Sequence, residues 1–222
     1  MTRFRVDDYP GTKPNEFYRH NLETFKDFNQ VMSKYSLSYD LGVIPLHSKD
    51  EDLKWLGQQP NIRIAMHGVN HDERYPNEFR DHQTEREVFL ILRNERLILE
   101  EDTGKPVIGY IPPHNVVDRK TVNALIQAGF TELHVGPGTE FEVSMYASEK
   151  GLKVIPSFPP FYGRSDELVA RGSVPIILRE ATERAHPFSS KGELCIGLHW
   201  TWEKNIGFEH LDLFLSQICG IM

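Results

Sequence analysis

A chain of 222 residues is long enough for one domain with a substantial core, and nothing in residues 1–222 marks an internal boundary. Its 39% apolar and 26% charged residues exclude disordered and fibrous classes. The net charge of -7 is spread along the chain, so no concentrated basic face invites nucleic acid, and no run reaches the ~20 apolar residues of a membrane span.

Short apolar runs alternate with helical patterns. The expected strands are residues 4–6, 39–44, 62–66, 107–111, 133–135, 153–155, 175–178 and 194–198, rich in Val, Ile and Leu as in strands buried on both faces. Between the first two, Phe17, Asn21, Phe25, Phe28, Met32 and Tyr35 recur at helical spacing over residues 16–34. Residues 83–101 carry Val88, Leu92, Glu95, Ile98 and Leu99 in the same way. Asp118 is placed to cap a helix that Gly129 ends, and residues 210–218 form a last amphipathic helix. The stretch 156–163, rich in Pro and Gly, reads as a loop over one face. The order predicts an α/β fold, either a (β/α) barrel of seven to eight parallel strands or a doubly wound sheet. Both place a site at the C-terminal strand ends.

Three polar clusters follow expected strands at once. Asp7 and Asp8 follow the first, His67 and His71 the third, and His199 the last. Two imidazoles four residues apart can converge on one ion if the intervening turn is helical, and a carboxylate from another strand gives a third ligand with a position left for water. Adjacent aspartates on an extended strand point apart, so one can ligate while the other serves as a base near the bound water. The competing readings are plainer. The Asp pair could start a turn into Tyr9-Pro10-Gly11, His199 could be a satisfied core residue, and Trp200 and Trp202 could be core rather than a sugar-stacking surface. Cys195 and Cys219 are too few for a disulfide framework and read as buried thiols in a reducing compartment. With a strand signal starting almost at once and no apolar leader, a cytoplasmic location is expected.

The ordered runs Val-Asp-Asp, His-Gly-Val-Asn-His, Tyr-Ile-Pro-Pro-His-Asn and Leu-His, spread over residues 4–202, resemble the motifs of the polysaccharide deacetylase (NodB-like) family. The resemblance implies that fold and a divergent branch of the family. It also implies hydrolysis of an N-acyl group from an amino sugar, with Asp8, His67 and His71 holding Zn2+ or another divalent ion such as Co2+, Ni2+ or Fe2+. Asp7 would be the base, His199 the acid that protonates the leaving amine, and the His114 amide an oxyanion donor, with Asn115, Trp200 and Trp202 beside the carbohydrate. A cytoplasmic enzyme would act on a sugar nucleotide or lipid-linked precursor of surface polysaccharide or lipopolysaccharide. The alternatives are a deformylase or other non-peptide C–N hydrolase, and a carbohydrate-binding protein on a decayed fold. The pattern is not fully kept. Ile111 stands where the family carries an arginine that orients the catalytic aspartate, and no element tuning the acid histidine is evident, with Asp166, Glu142 and Glu203 as the substitutes weighed.

Overall fold

The computed structural model describes residues 2–11, 22–71, 77–79, 84–162, 165–170 and 194–220. Seven strands run in chain order: β1 (Thr2–Tyr9), β2 (Tyr39–Val43), β3 (Ile62–Met66), β4 (Gly109–Tyr110), β5 (Glu132–Val135), β6 (Lys153–Tyr162) and β7 (Leu194–His199). Each pairs in parallel with the next, and β7 pairs with β1, so the sheet closes into a barrel. This excludes the doubly wound sheet. The expected strand 175–178 lies outside the described residues.

Parallel strands require crossovers, and helices supply them. They are α1 (Leu22–Lys34), α2 (Asp50–Gln58), α3 (Glu85–Thr103), α4 (Arg119–Gln127), α5 (Phe141–Glu149), α6 (Ser165–Ala170), α7 (Trp200–Ile206) and α8 (Phe208–Cys219). Local signals set their ends. Thr84 and Glu87 form a reciprocal capping box at the start of α3, and Gly104 closes that helix at φ 65°. Asp118 accepts from the Thr121 amide at 2.7 Å, and Gly129 follows α4 at φ 88°, as expected for a cap and a C′ glycine. Phe25, Phe28 and Met32 of α1 and Leu211, Phe214, Leu215 and Ile218 of α8 turn inward at helical spacing. On α3, by contrast, Ile98 is exposed and Thr103 takes a buried place instead.

The apolar core lies between strands and helices, not inside the barrel. Phe4 and Val6 of β1 join that core, whereas Arg3, Arg5 and Asp7 alternate with them. Arg3 Nε lies 2.5 Å from Asp40 Oδ2 on β2, and its Nη2 lies 2.5 Å from Glu132 Oε2 on β5. Since β5 neighbours neither side of β1, that contact passes through the barrel interior. The interior also holds the fully buried imidazole of His134. Strands apolar on both faces were the sequence expectation. The barrel instead has an apolar outer face and a polar, charge-paired inner one.

Two other expectations change. Residues 156–162 are not a loop: β6 continues to Tyr162, and its pairing with β7 shifts register between Ser157 and Tyr162, while residue 163 lies outside the described residues. Prolines lack a ladder donor and are tolerated where pairing is irregular. Strand 107–111 shortens to Gly109–Tyr110.

Candidate metal centre at the strand ends

β1 ends irregularly. Its register with β2 slips between Val6 and Tyr9, and Asp8 takes a left-handed φ of 65°. A non-glycine residue adopts that conformation rarely and at a cost in strain. Asp7, still extended, therefore faces the barrel interior beside Arg5, while Asp8 turns over the strand ends. There, Asp8 Oδ1 lies 3.0 Å from His67 Nε2 and 3.5 Å from His71 Nε2, and Asp8 Oδ2 lies 3.6 Å from His199 Nε2.

His67 sits one residue past β3, its amide donating to the Val43 carbonyl at 2.8 Å. Its ring Nδ1 lies 2.9 Å from the carbonyl oxygen of Ile111. A carbonyl only accepts, so Nδ1 carries the proton and, in the neutral ring, Nε2 presents a lone pair. The segment from His67 to His71 is not the helical turn that the spacing suggested. Gly68 at φ 62° and His71 at φ 49° fold it instead. A Cβ on Gly68 would meet Glu78 Oε2 and Pro113 Cγ at 2.5 Å, so only glycine fits. Glu78, unnoticed in the sequence, accepts from the Val69 amide at 2.8 Å and the Asn70 amide at 2.5 Å and shapes this loop.

One ligand atom each from Asp8, His67 and His71 lie within 4.8 Å of one another. A carboxylate and two imidazole nitrogens form a donor set of the open catalytic kind. With Nδ1–H committed to Ile111, the 3.0 Å contact of Nε2 with Asp8 needs a positive charge between the two atoms. Either a proton supplies it, which Asp8 and Asp7 favour on His67 against its burial, or a cation takes the proton's place, so these residues fit a divalent metal.

The local charges are strongly coupled. Burial raises the Asp8 carboxyl, but the His67 hydrogen bond and the charges of His199, His67 and His71 outweigh it and hold Asp8 below the carboxylate range. Burial pushes His71 down to about 4, helped by the His67 charge. Burial also lowers His199 despite the opposing charges of Asp8 and Asp7. Burial raises Asp7 too, but Arg5, with the charges of His67 and His199, outweighs it and keeps the carboxyl below its ordinary value.

The remaining expected site residues divide. His199 ends β7 directly beside Asp7 in the β1–β7 register. Trp202 stacks on it, ring centroids 3.9 Å apart at 17°, and stays half-buried. Trp200 is different. It is 1% exposed, packs edge-on to Phe25 and donates from Nε1 to the Asp8 carbonyl at 3.0 Å. It offers no face to a sugar and instead steadies the Asp8 backbone. His114 is exposed, at φ 53°, with its ring 4.8 Å from that of His71. The amides of Asn115 and Val116 bond back to Pro112 and Pro113, both at 3.0 Å, whereas among the described residues no acceptor takes the His114 amide. Asn115 is 5% exposed and packs against Gly136, where a Cβ would lie 2.4 Å from its Oδ1. It shapes the loop rather than presenting itself to a ligand. Glu203 is buried and accepts from the Ser165 amide at 2.9 Å at the start of α6, Asp166 accepts from the Glu167 amide at 2.8 Å, and Glu142 is exposed on α5. The acidic groups that act most on His199 are Asp8 and Asp7.

No family model and no curated protein matches the chain. Solved structures do. One is a provisionally named polysaccharide deacetylase from Mycobacterium smegmatis, with TM-score 0.69 and 15% identity over 99% of this chain and 84% of that one. A second is the polysaccharide deacetylase Bc1974 from Bacillus cereus, with TM-score 0.53 and 13% identity over 100% and 88%. A third is BA3943 from Bacillus anthracis, a CE4 family pseudoenzyme, with TM-score 0.51 and 12% identity over 100% and 61%. A mutant of BA3943 with restored enzymatic activity has TM-score 0.55, and this chain spans 63% of its length. At such identities the likeness establishes the fold: a seven-stranded parallel barrel of the CE4 polysaccharide deacetylase type.

Proposed function

We propose that this protein is a metal-dependent hydrolase that removes an N-acyl group, acetyl in the first instance, from an amino sugar or glycan precursor. One observation carries the reading. Asp8, His67 and His71 converge within 4.8 Å at the C-terminal ends of parallel strands, with the register of β1 and β7 setting Asp7 beside His199.

A divalent cation on these three residues would polarise the acyl carbonyl and lower the pKa of a water to ~7. The chain's own groups supply the rest. Asp7, kept charged by Arg5, accepts the proton of the attacking water. The His114 amide is available to the carbonyl oxygen as negative charge builds there. His199, beside Asp7 and steadied by the Trp202 ring, delivers a proton to the departing nitrogen. Zn2+, Co2+, Ni2+ and Fe2+ all suit two imidazoles and a carboxylate. An N-acetylated sugar nucleotide or lipid-linked precursor is the substrate class we favour. Among the described residues no helix is long and apolar enough to cross a membrane.

The test is release of acetate from N-acetylglucosamine oligomers and UDP-N-acetylglucosamine by metal-loaded protein. Asp7→Asn should keep its metal and lose about 10²–10⁴ in kcat. Undiminished turnover in that variant would refute the assignment of the base, and formate or ammonia in place of acetate would redirect the reading to another C–N bond. A non-catalytic carbohydrate-binding role is favoured by one feature, Ile111 at the family's arginine position. Metal uptake without acyl release from any N-acylated sugar would select it.

A further inference from the structure

Below the Asp8, His67 and His71 cluster the barrel encloses a guanidinium. Arg5 Nε donates to Asp7 Oδ1 at 2.7 Å and Nη2 to Asp7 Oδ2 at 2.5 Å, a two-pronged contact between side chains each 1% exposed. Residues two apart on an extended strand share a face, so β1 itself builds the pair. The register puts Arg5 beside Gly197 of β7, a position with no side chain to compete for interior space.

A buried ion pair is a poor source of stability, because desolvating both charges offsets their attraction, and apolar side chains of equal volume often serve as well or better. What such a pair supplies is orientation. The planar guanidinium fork matches the carboxylate plane and fixes it in a way a lysine ammonium cannot. Position 111, where the deacetylase pattern has its arginine, here carries an isoleucine whose carbonyl is already engaged with His67.

We propose that Arg5 is the positioning residue for Asp7, fixing the orientation of its carboxylate from within the same strand. This rests on reading Asp7 as the proton acceptor. The arginine has moved, in effect, from the loop after β4 to the interior face of β1.

The experiment compares Arg5→Lys, Arg5→Met, Asp7→Asn and the double variant Arg5→Met/Asp7→Asn. Zn2+ binding, Tm and acetate release from N-acetylglucosamine oligomers are read on each. Arg5→Lys should fold, bind Zn2+ within about threefold of the wild-type Kd, and lose roughly 10–100-fold in kcat with KM within about threefold. Arg5→Met strands a buried carboxylate and should lower Tm by roughly 10 °C, most of which the double variant recovers. That thermal cycle needs no substrate. Additive Tm losses, or unchanged kcat in folded, Zn2+-loaded Arg5→Lys beside an inactive Asp7→Asn, would overturn the inference alone. Full turnover in Asp7→Asn would refute Asp7 as the base, and the inference with it, whereas absence of acetate release from the Zn2+-loaded wild type would overturn the proposed function and leave the thermal cycle to be read by itself.

Discussion

The Nδ1 atom of His67 lies 2.9 Å from the carbonyl oxygen of Ile111, so the backbone after β4 sets the tautomer of a ring carried by β3. The Ile111 amide in turn donates to the Met66 carbonyl at 2.8 Å, which ties the two strand ends together just where the ring is held. The Ile111 side chain takes no part in that contact. Ile111→Val should therefore leave divalent-metal affinity within about twofold, whereas His67→Ala should abolish stoichiometric binding. Calorimetric titration with Zn2+ decides both. Retained one-to-one binding in His67→Ala would remove His67 from the ligand set.

Glu78 holds the loop that carries His71 through two backbone amides, Val69 and Asn70. A glutamine has one acceptor oxygen and sets its NH2 against an amide donor. Glu78→Gln should weaken Zn2+ binding by about 10-fold without eliminating it, the usual scale for a group that orients a ligand. An unchanged Kd would mean that the loop keeps its shape without the carboxylate.

Gly57 lets α2 approach the C-terminal end of α3 closely. A Cβ there would lie 2.0 Å from the Thr103 carbonyl oxygen, a backbone atom that cannot rotate aside. Gly57→Ala should destabilise the fold by about 3 kcal/mol despite alanine's better helix propensity. Denaturant unfolding measures it, and a neutral or stabilising result would show that the helices separate at little cost.

His134 is fully buried within the barrel, 3.7 Å from Asp40, yet burial together with Arg5, Arg3, Arg63 and Lys153 holds its pKa well below the ordinary value. At neutral pH it is therefore uncharged and its approach to Asp40 is not an ion pair. With the folded value below the unfolded ~6.5, the unfolded chain takes up its proton first on acidification. This stability is present above about pH 6.5 and is lost as pH falls below it, with a limiting slope of ~1.4 kcal/mol per pH unit. Without added metal, Tm should fall less steeply between about pH 6.5 and 5 in His134→Gln than in wild type. Parallel curves would show that His134 titrates alike in both states.

Much of the site was legible because its groups sit where strands stop. Asp7, Asp8, His67 and His199 each end or directly follow an apolar run, and a parallel fold gathers such positions at one edge. The alternation Arg3, Phe4, Arg5, Val6, Asp7 was equally visible as a pattern. Its meaning was not, because a charged inner face is tolerable only when partners arrive from strands far along the chain, as Glu132 does for Arg3. The stretch 156–163 misled for a related reason. Prolines argue for a loop locally, and only the irregular pairing with β7 makes room for them in a strand.

By itself the sequence determined the alternation of strands with helices, the caps at Asp118 and Gly129, and the residue types of a candidate metal centre. These depend on short-range periodicity and local hydrogen bonding. The tertiary structure decided which of two adjacent aspartates turns toward His67, that Trp200 is core while Trp202 lies on His199, and that Ile111 acts through its carbonyl. Those outcomes depend on backbone dihedrals and cross-barrel distances, which closure of the sheet imposes and no local pattern encodes.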